Sequence, residues 1–245
     1  MFRQLLICEY KLFFRNFINA FFCLLFPPAM IVLFGGIYGN SPSIEYGGKG
    51  MVDVSLPAYF ALIISVTAIM SIPMTLSEYR EKRILKKYMT RPLRKMDILF
   101  SIISVNVFSS IIGMVLLFII ARSLYDVVFE GNVFIFLASM LLSICSMYSL
   151  GLLLSNIGRS IKTTNTLCYS IYFPMLFLSG ATIPKELFPN TVLIISKFVP
   201  LSYVVDVLKF SWMGNSDCSL FSGICVLLVL FVVCSTINQR FFRWE

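Results

Sequence analysis

The residues of this chain best equipped for chemistry lie in one run, 77–97, which holds eight of the 20 Lys and Arg residues together with Glu78, Glu81 and Asp97. Ser77 is placed to cap a helix whose first turn carries Glu78 and Glu81, both favourable beside the positive end of a helix dipole. Lys86 and Lys87 come towards the other end, and Pro92 stops the helix. Within it Ile84, Leu85 and Tyr88 form a small apolar face among charges. A solvated connector has little use for that face, whereas a short helix docking onto a cytoplasmic partner needs one.

A second group is uncharged. Ser65, Thr67, Ser71 and Thr75 fall in one apolar stretch, and Ser139, Ser143, Ser146 and Ser149 in another, the last three at i, i+3, i+6. A third opens on Thr163, Thr164, Asn165 and Thr166 and continues through Tyr169, Ser170, Tyr172 and Pro174. Small hydroxyl residues in membrane helices are more often packing contacts than ligand contacts. The candidates for a substrate path are Ser71, Thr75, Ser146, Ser149, Asn165, Tyr169 and Tyr172. A path of hydroxyls and aromatics without fixed charge suits an amphiphilic or hydrophobic substrate, such as a drug or a peptide antibiotic.

Other chemistry is excluded by what is missing. There is no His, the usual general base, proton shuttle and metal ligand. The seven Cys form no C-x-x-C, and five lie in apolar stretches, where Cys behaves as a small hydrophobe. No G-x-x-x-x-G-K-[ST] phosphate loop occurs; Gly47, Gly48, Lys49 and Gly50 lack the first Gly at the right spacing. Catalytic residues, a resident metal and a bound cofactor are therefore not expected. If the protein moves a solute uphill, the energy has to come through a protein partner.

These residues must be positioned by membrane helices. The 245 residues are 58% apolar and 13% charged, with mean hydropathy +0.88; soluble chains carry about 25% charged residues. Six uncharged stretches, 18–37, 56–76, 98–121, 132–154, 164–183 and 219–239, are each long enough to span the hydrocarbon. The fold class expected is an all-α polytopic membrane protein with six transmembrane helices. The first stretch is too long for a signal-peptide core and reads as a retained helix, bent at Pro27 and Pro28. Ion-coupled carriers keep charged groups in their spans, and these spans have none.

Orientation follows from the Lys and Arg distribution. The N-terminus carries three, residues 77–97 eight, residues 155–163 two and the C-terminus two, fifteen in all, against Lys49, Arg122, Lys185, Lys197 and Lys209 on the other side. This bias places both termini and loops 77–97 and 155–163 in the cytoplasm. The net charge of +8 is thus juxtamembrane charge facing the lipid bilayer rather than a nucleic-acid surface.

Two further segments have their own pattern. In 1–17, Leu6, Tyr10, Phe13 and Phe17 form an apolar stripe separate from Lys11, Arg15 and Asn19, which predicts an interfacial helix with an elbow near Asn16. In 184–218, apolar pieces at 192–195 and 203–205 are divided by Pro184, Pro189 and Pro200 into lengths too short to cross, which predicts re-entrant or interfacial helices on the outer side.

The run from Glu78 to Leu99 resembles the cytoplasmic segment after the second span of ABC-2-type permeases, the membrane subunits of ATP-binding-cassette exporters. Glu81, Leu85, Thr90, Pro92, Leu93 and Arg94 match that pattern in order. A second block, Leu178 to Gly180, Pro184, Pro189 and Pro200 to Lys209, with Tyr203 and Asp206, resembles the two short outer helices that precede the last span in that family. The chain departs from it at Lys82 and Arg83, at Phe100 and at Lys209. The resemblance implies one transmembrane domain over 1–245, located in the plasma membrane and paired with a second permease, identical or paralogous. It implies cytoplasmic ABC ATPase subunits as partners, holding the ATP and Mg, and a coupling helix 78–89. Glu78, Arg80, Glu81, Leu85 and Tyr88 are the residues it implies for docking. Export of a lipid-linked glycan is the rival reading within the family, a carrier or channel not driven by ATP the one outside it, and a non-transporting sensor or assembly factor a third.

Overall fold

The computed structural model describes residues 2–15, 17–42, 48–84, 95–158, 160–182, 185, 188–214 and 218–241. Among them the extended elements are helices: α1 (Phe2–Arg15), α2 (Phe21–Tyr38), α3 (Met51–Glu81), α4 (Lys95–Tyr125), α5 (Val133–Ile157), α6 (Ile161–Leu178), α7 (Asn190–Ser196), α8 (Pro200–Met213) and α9 (Cys218–Phe241). Five of these, α2, α3, α4, α5 and α9, are long and apolar enough to cross a membrane. Helix α6 has 18 residues, but the polar side chains of Lys162, Thr163, Thr164, Asn165 and Thr166 fill its first two turns and lower its hydropathy. Helices α7 and α8 together make a sixth apolar length, bent by 97° between them.

Helix α3 is the centre. Its most apolar window is 89% buried, against 17% for α9, so α3 is walled by protein while α9 turns most of its surface to lipid. At 31 residues it is about 46 Å long, well beyond the ~30 Å of hydrocarbon. The extra length corrects one expectation. Ser77 does not cap a new helix; it lies buried inside α3, and residues 78–81 are the last turn of the same helix. No Gly or Pro separates Met74 from Glu81, so nothing stops the helix until the turn at Lys82 and Arg83, where Arg83 has φ of 53°. Residues 85–94, including Leu85 and Tyr88, lie outside the described residues.

Prolines in two helices shape the bundle. In α3 the turn Thr67–Ser71 is a π-turn, in which the Ile72 N–H bonds Thr67 O rather than Ala68 O. The next nitrogen, that of Pro73, has no hydrogen, so neither backbone nitrogen serves Ala68 O. Gly151 of α5 sits against it: a Cβ there would lie 2.0 Å from Ala68 O. Helix α2 repeats the device. A π-turn at Phe21–Leu25 precedes Pro27 and Pro28, and Cys23 O faces Gly113 of α4, where a Cβ would lie 2.8 Å away. The bend expected at the two prolines therefore takes the form of a π-turn one step before them.

Helix α1 lies along α4, and Tyr10 meets Phe108 edge-on at 5.2 Å. Its buried line is Leu5, Glu9 and Phe13, with Leu6 and Tyr10 half-buried. This line shares Phe13 with the stripe expected and is otherwise one position away from it, and Phe17 is 73% exposed. The elbow position, Asn16, is outside the described residues.

The segment after α6 folds back onto the bundle. Helix α8 buries Leu201, Val204, Val205, Val207 and Leu208, and packs on α3, α5 and α9. Near its end Trp212 is ringed by Phe60, Phe118, Phe129 and Phe136, with centroids 4.8–6.0 Å away. Those rings come from α3, α4, the loop before α5, and α5 itself, so one indole fixes α8 to three neighbours.

Gly151→Val should put a branched side chain against Ala68 O and lower stability by about 1–3 kcal/mol, as overpacked cores do. Gly36→Ala, at a position with nothing within 4 Å of the new Cβ, should leave the melting temperature of the purified protein in detergent unchanged.

Candidate functional site

At the Arg80 end of α3 three other helices, α1, α5 and α6, are tied to it by polar side chains, and α9 joins them through α5. Ser77 Oγ accepts from Thr164 Oγ1 of α6 at 2.9 Å, in a buried contact. Tyr79 Oη donates to Glu9 Oε1 of α1 at 2.7 Å. Arg80 reaches α5, where Nη1 donates to Ser155 O and Nη2 to Asn156 Oδ1 at 3.0 Å. Asn156 Nδ2 in turn donates to Asn238 Oδ1 of α9 at 3.0 Å, and Asn238 Nδ2 to Ser149 O at 2.8 Å. Glu81 Oε2 accepts from the backbone N–H of Ile161 at 2.6 Å, at the positive end of α6. Ser160 and Thr163 complete that helix start with a reciprocal capping box.

The residues singled out from sequence are thus divided. Arg80 and Glu81 are used inside the chain, binding α5 and α6, while Glu78 forms an ion pair with Lys82. Ser71 and Thr75 line a cleft of about 420 Å³ between α1, α3 and α4, together with Glu9, Glu78, Tyr79 and Asn106. Ser146 and Ser149 are buried on α5 and donate to carbonyls of their own helix, Ser143 O at 3.2 Å and Ser146 O at 2.7 Å. On α6, Tyr169 stacks on Phe173, and Tyr172, 2% exposed, meets the same ring edge-on; Asn165 is half-buried. Among the described residues Ser71 and Thr75 share that cleft, and the other five candidates do not line it.

Beyond α6, Gly180 has φ of 83° and lies against the side chain of Lys185. Lys185 Nζ holds both oxygens of Asp206 at 2.7 Å and donates to Ser202 O at 3.2 Å. Tyr203 Oη donates to Lys197 O at 2.7 Å, across the bend between α7 and α8, and Pro200 starts α8. Pro184 is outside the described residues. At the opposite end of α3, Asn40 takes the capping role: its Oδ1 accepts from Val52 N and Asp53 N, and its Nδ2 donates to Asp53 Oδ2 and Tyr125 O.

Glu9 is the functional candidate that the pattern reading passed over. It is the one carboxylate among the first 40 residues, and it falls four residues from both Leu5 and Phe13, on the buried line of α1. A charge at apolar spacing was the available signal. It is 4% exposed; burial raises its pKa above the ordinary carboxylate range, and the hydrogen bond from Tyr79 partly offsets this. Among the described residues no three His, Cys, Asp or Glu side chains converge as a metal ion would require.

A chain of apolar helices, uncharged through its middle and cross-braced by polar side chains at one end, has the form of a polytopic membrane protein. It belongs to the ABC-2 type transporter family, whose pattern matches residues 1–211. It is also similar to the inner membrane transport permease YhhJ of Escherichia coli (strain K12) and to its counterpart in Shigella flexneri, each 25% identical over 158 residues. The match covers 62% of this chain and 42% of those relatives, so the chain spans less than half their length. Family and relatives point to the plasma membrane.

Two outcomes follow from the bracing. Asn238→Leu leaves Ser149 O and the Asn156 amide each short of a partner, and should cost about 1–3 kcal/mol, read as a lower melting temperature with insertion preserved. Glu9→Gln keeps an acceptor for Tyr79 but removes a carboxylate whose charged form the fold disfavours. A raised pKa makes the folded state bind its proton more tightly, so Glu9 lowers stability as pH rises from the ordinary carboxylate pKa through its folded value. The variant should therefore melt higher than wild type at pH 8 and close to it at pH 4.

Proposed function

We propose that the chain is the permease subunit of an ATP-driven exporter for an amphiphilic or hydrophobic substrate, working with cytoplasmic ABC ATPase subunits and a second permease. Family membership supports the class. The observation that carries the mechanism is the bracing at the Arg80 end. A force applied to residues 82–97 passes into α3, and from there through Tyr79, Arg80, Ser77 and Glu81 to α1, α5, α6 and α9. Glu78, Leu85 and Tyr88 are then the docking surface, with Arg80 and Glu81 acting behind it as positioning residues.

In this reading α6 is the sixth crossing. Eighteen residues make about 27 Å of helix, close to the hydrocarbon thickness, and its polar first turns enter at the Arg80 end, where Thr164 and Ile161 find α3. Helices α7 and α8 form the re-entrant segment on the outer side, and both termini are cytoplasmic. Ser71 and Thr75 belong to the substrate path; the packing of Ser146 and Ser149 favours a structural role for them.

Cysteine labelling at Lys86 and at Asn190 should show opposite sidedness; labelling from the same side refutes this topology. Leu85→Asp should weaken ATPase co-purification by about one to two orders of magnitude, from the ~1.5–3 kcal/mol of a buried Leu at an interface. Glu81→Ala should loosen the start of α6 and uncouple substrate export from ATP hydrolysis. Wild-type ATPase binding and export in both variants would overturn the coupling assignment.

A further inference from the structure

Helices α4 and α5 leave a groove between them in the half of the bundle away from Arg80. It encloses about 410 Å³, and every side chain around it is apolar apart from the Trp212 indole, which is itself buried. On α4 the lining runs at i, i+4, i+7 from Ile111 to Phe118, and on α5 at i, i+4, i+7 from Val133 to Met140. Each helix therefore turns one face to the groove along its length. The outer walls, Ile111, Val115, Val133 and Leu137, are exposed. The floor is stiff, because four rings hold Trp212 edge-on, and it cannot rise to fill the gap. An unfilled apolar gap forfeits the contacts of its whole lining. Since α4 and α5 are both long and apolar enough to cross the membrane, the groove opens to hydrocarbon rather than to water.

The α4 line that lines the groove continues to a cation. Position i+11 from Ile111 is Arg122, and at ~1.5 Å per residue it stands about 16 Å above Ile111. That is the depth of one leaflet, half of the ~30 Å hydrocarbon. Arg122 is exposed, and of a guanidinium's five donors it gives Nη1 to Val127 O at 2.8 Å. Val127 belongs to the loop that brings Phe129 to the groove, so Arg122 fixes the mouth and keeps donors for an anionic oxygen, which guanidinium binds in pairs. Two acidic residues share the loop. Glu130 is paired with Lys49, and Asp126 is exposed. The mouth thus offers one unpaired charge of each sign among the described residues, which favours a phosphate group as such over a head with net negative charge.

We propose that this groove seats one phospholipid of the leaflet opposite the Arg80 end, with an acyl chain between α4 and α5 and its phosphate at Arg122. The acyl chain completes the packing of two helices that the loop 126–132 joins at one end. The assignment goes beyond the transport reading and needs only that α4 and α5 cross the bilayer.

The sequence has two tryptophans, Trp212 and Trp244, so Trp244→Phe leaves the groove floor as the one indole. The test is quenching of that indole in the delipidated full chain, in dodecyl maltoside, by phosphatidylglycerol brominated on its acyl chains. Quenching should saturate, and unbrominated phosphatidylcholine and phosphatidylglycerol should displace the quencher alike. Diacylglycerol with the same chains should be about ten-fold weaker or worse, having no phosphate for Arg122. Arg122→Gln should lower affinity about ten-fold for the same reason, and Arg122→Lys should recover most of the loss. Val115→Phe, which fills the groove from its exposed wall, should also weaken binding, whereas Val229→Phe, the same change on the exposed face of α9, should not. Melting curves establish that each variant is folded; should Arg122→Gln fail to fold, Val115→Phe and the diacylglycerol comparison decide. Quenching that rises with the brominated fraction without saturating, equal displacement by diacylglycerol, or unchanged affinity in Arg122→Gln and Val115→Phe overturns the proposal. A second permease covering the groove would appear as subunit cross-linking from a photoreactive side chain at position 115, and would overturn it equally. Either result would leave ATP-driven transport standing, since ATPase co-purification tests it separately.

Discussion

Inside hydrocarbon a carbonyl has no water to turn to, and that constraint organises this bundle. Ala68 O loses the Ile72 N–H to the π-turn and finds no hydrogen on Pro73, Cys23 O finds none on Pro27, and each lies against a glycine of the neighbouring helix. Close Cα–H···O approach of this kind is modest in energy. Its geometric effect is larger, because it draws backbones together and sets the register of α5 on α3 and of α4 on α2. The central position of α3 then follows. It carries the π-turn, receives Gly151, and offers the rest of its surface to α2, α6 and α8.

What α3 does at its end depends on this. A helix longer than the hydrocarbon projects from it, and the projecting turn is where Ser77, Tyr79, Arg80 and Glu81 find their partners. Polar contacts that would be costly to leave unmade at depth are satisfied here near the boundary, one each to α1 and α5 through Tyr79 and Arg80 and two to α6 through Ser77 and Glu81. The cleft beside α1 arises from the same projection: α1 is held off α3 by the length of the Tyr79 side chain, and the gap takes in Glu9, Ser71 and Asn106.

Five helices were legible because uncharged runs of about 20 residues have few other uses: α2, α3, α4, α5 and α9, each long and apolar enough to cross a membrane, overlap the runs at 18–37, 56–76, 98–121, 132–154 and 219–239. Helix α6 was legible as apolar in its second half only; its first half is polar because it packs at the braced end. The break expected before Ser77 was misjudged, since a good capping residue followed by acidic ones looks the same whether a helix starts there or continues through a buried contact. Glu9 escaped because a stripe is read from its apolar members, and a carboxylate within it is discounted. The aromatic ring around Trp212 and the Asn156–Asn238 bridge join residues more than 70 positions apart, which no local pattern discloses.

The pairing of Pro73 with Gly151 ties together two positions that are far apart in sequence. While the proline is present, any side chain at 151 collides with a carbonyl that has nowhere else to go. If the proline were replaced, Ile72 and residue 73 would both donate, the turn would tighten, and Ala68 O would withdraw into its own helix. Residue 151 would then be released from its restriction. In descendants of this chain the two sites should change in a fixed order, proline first and glycine second, because the reverse order passes through a less stable, overpacked protein.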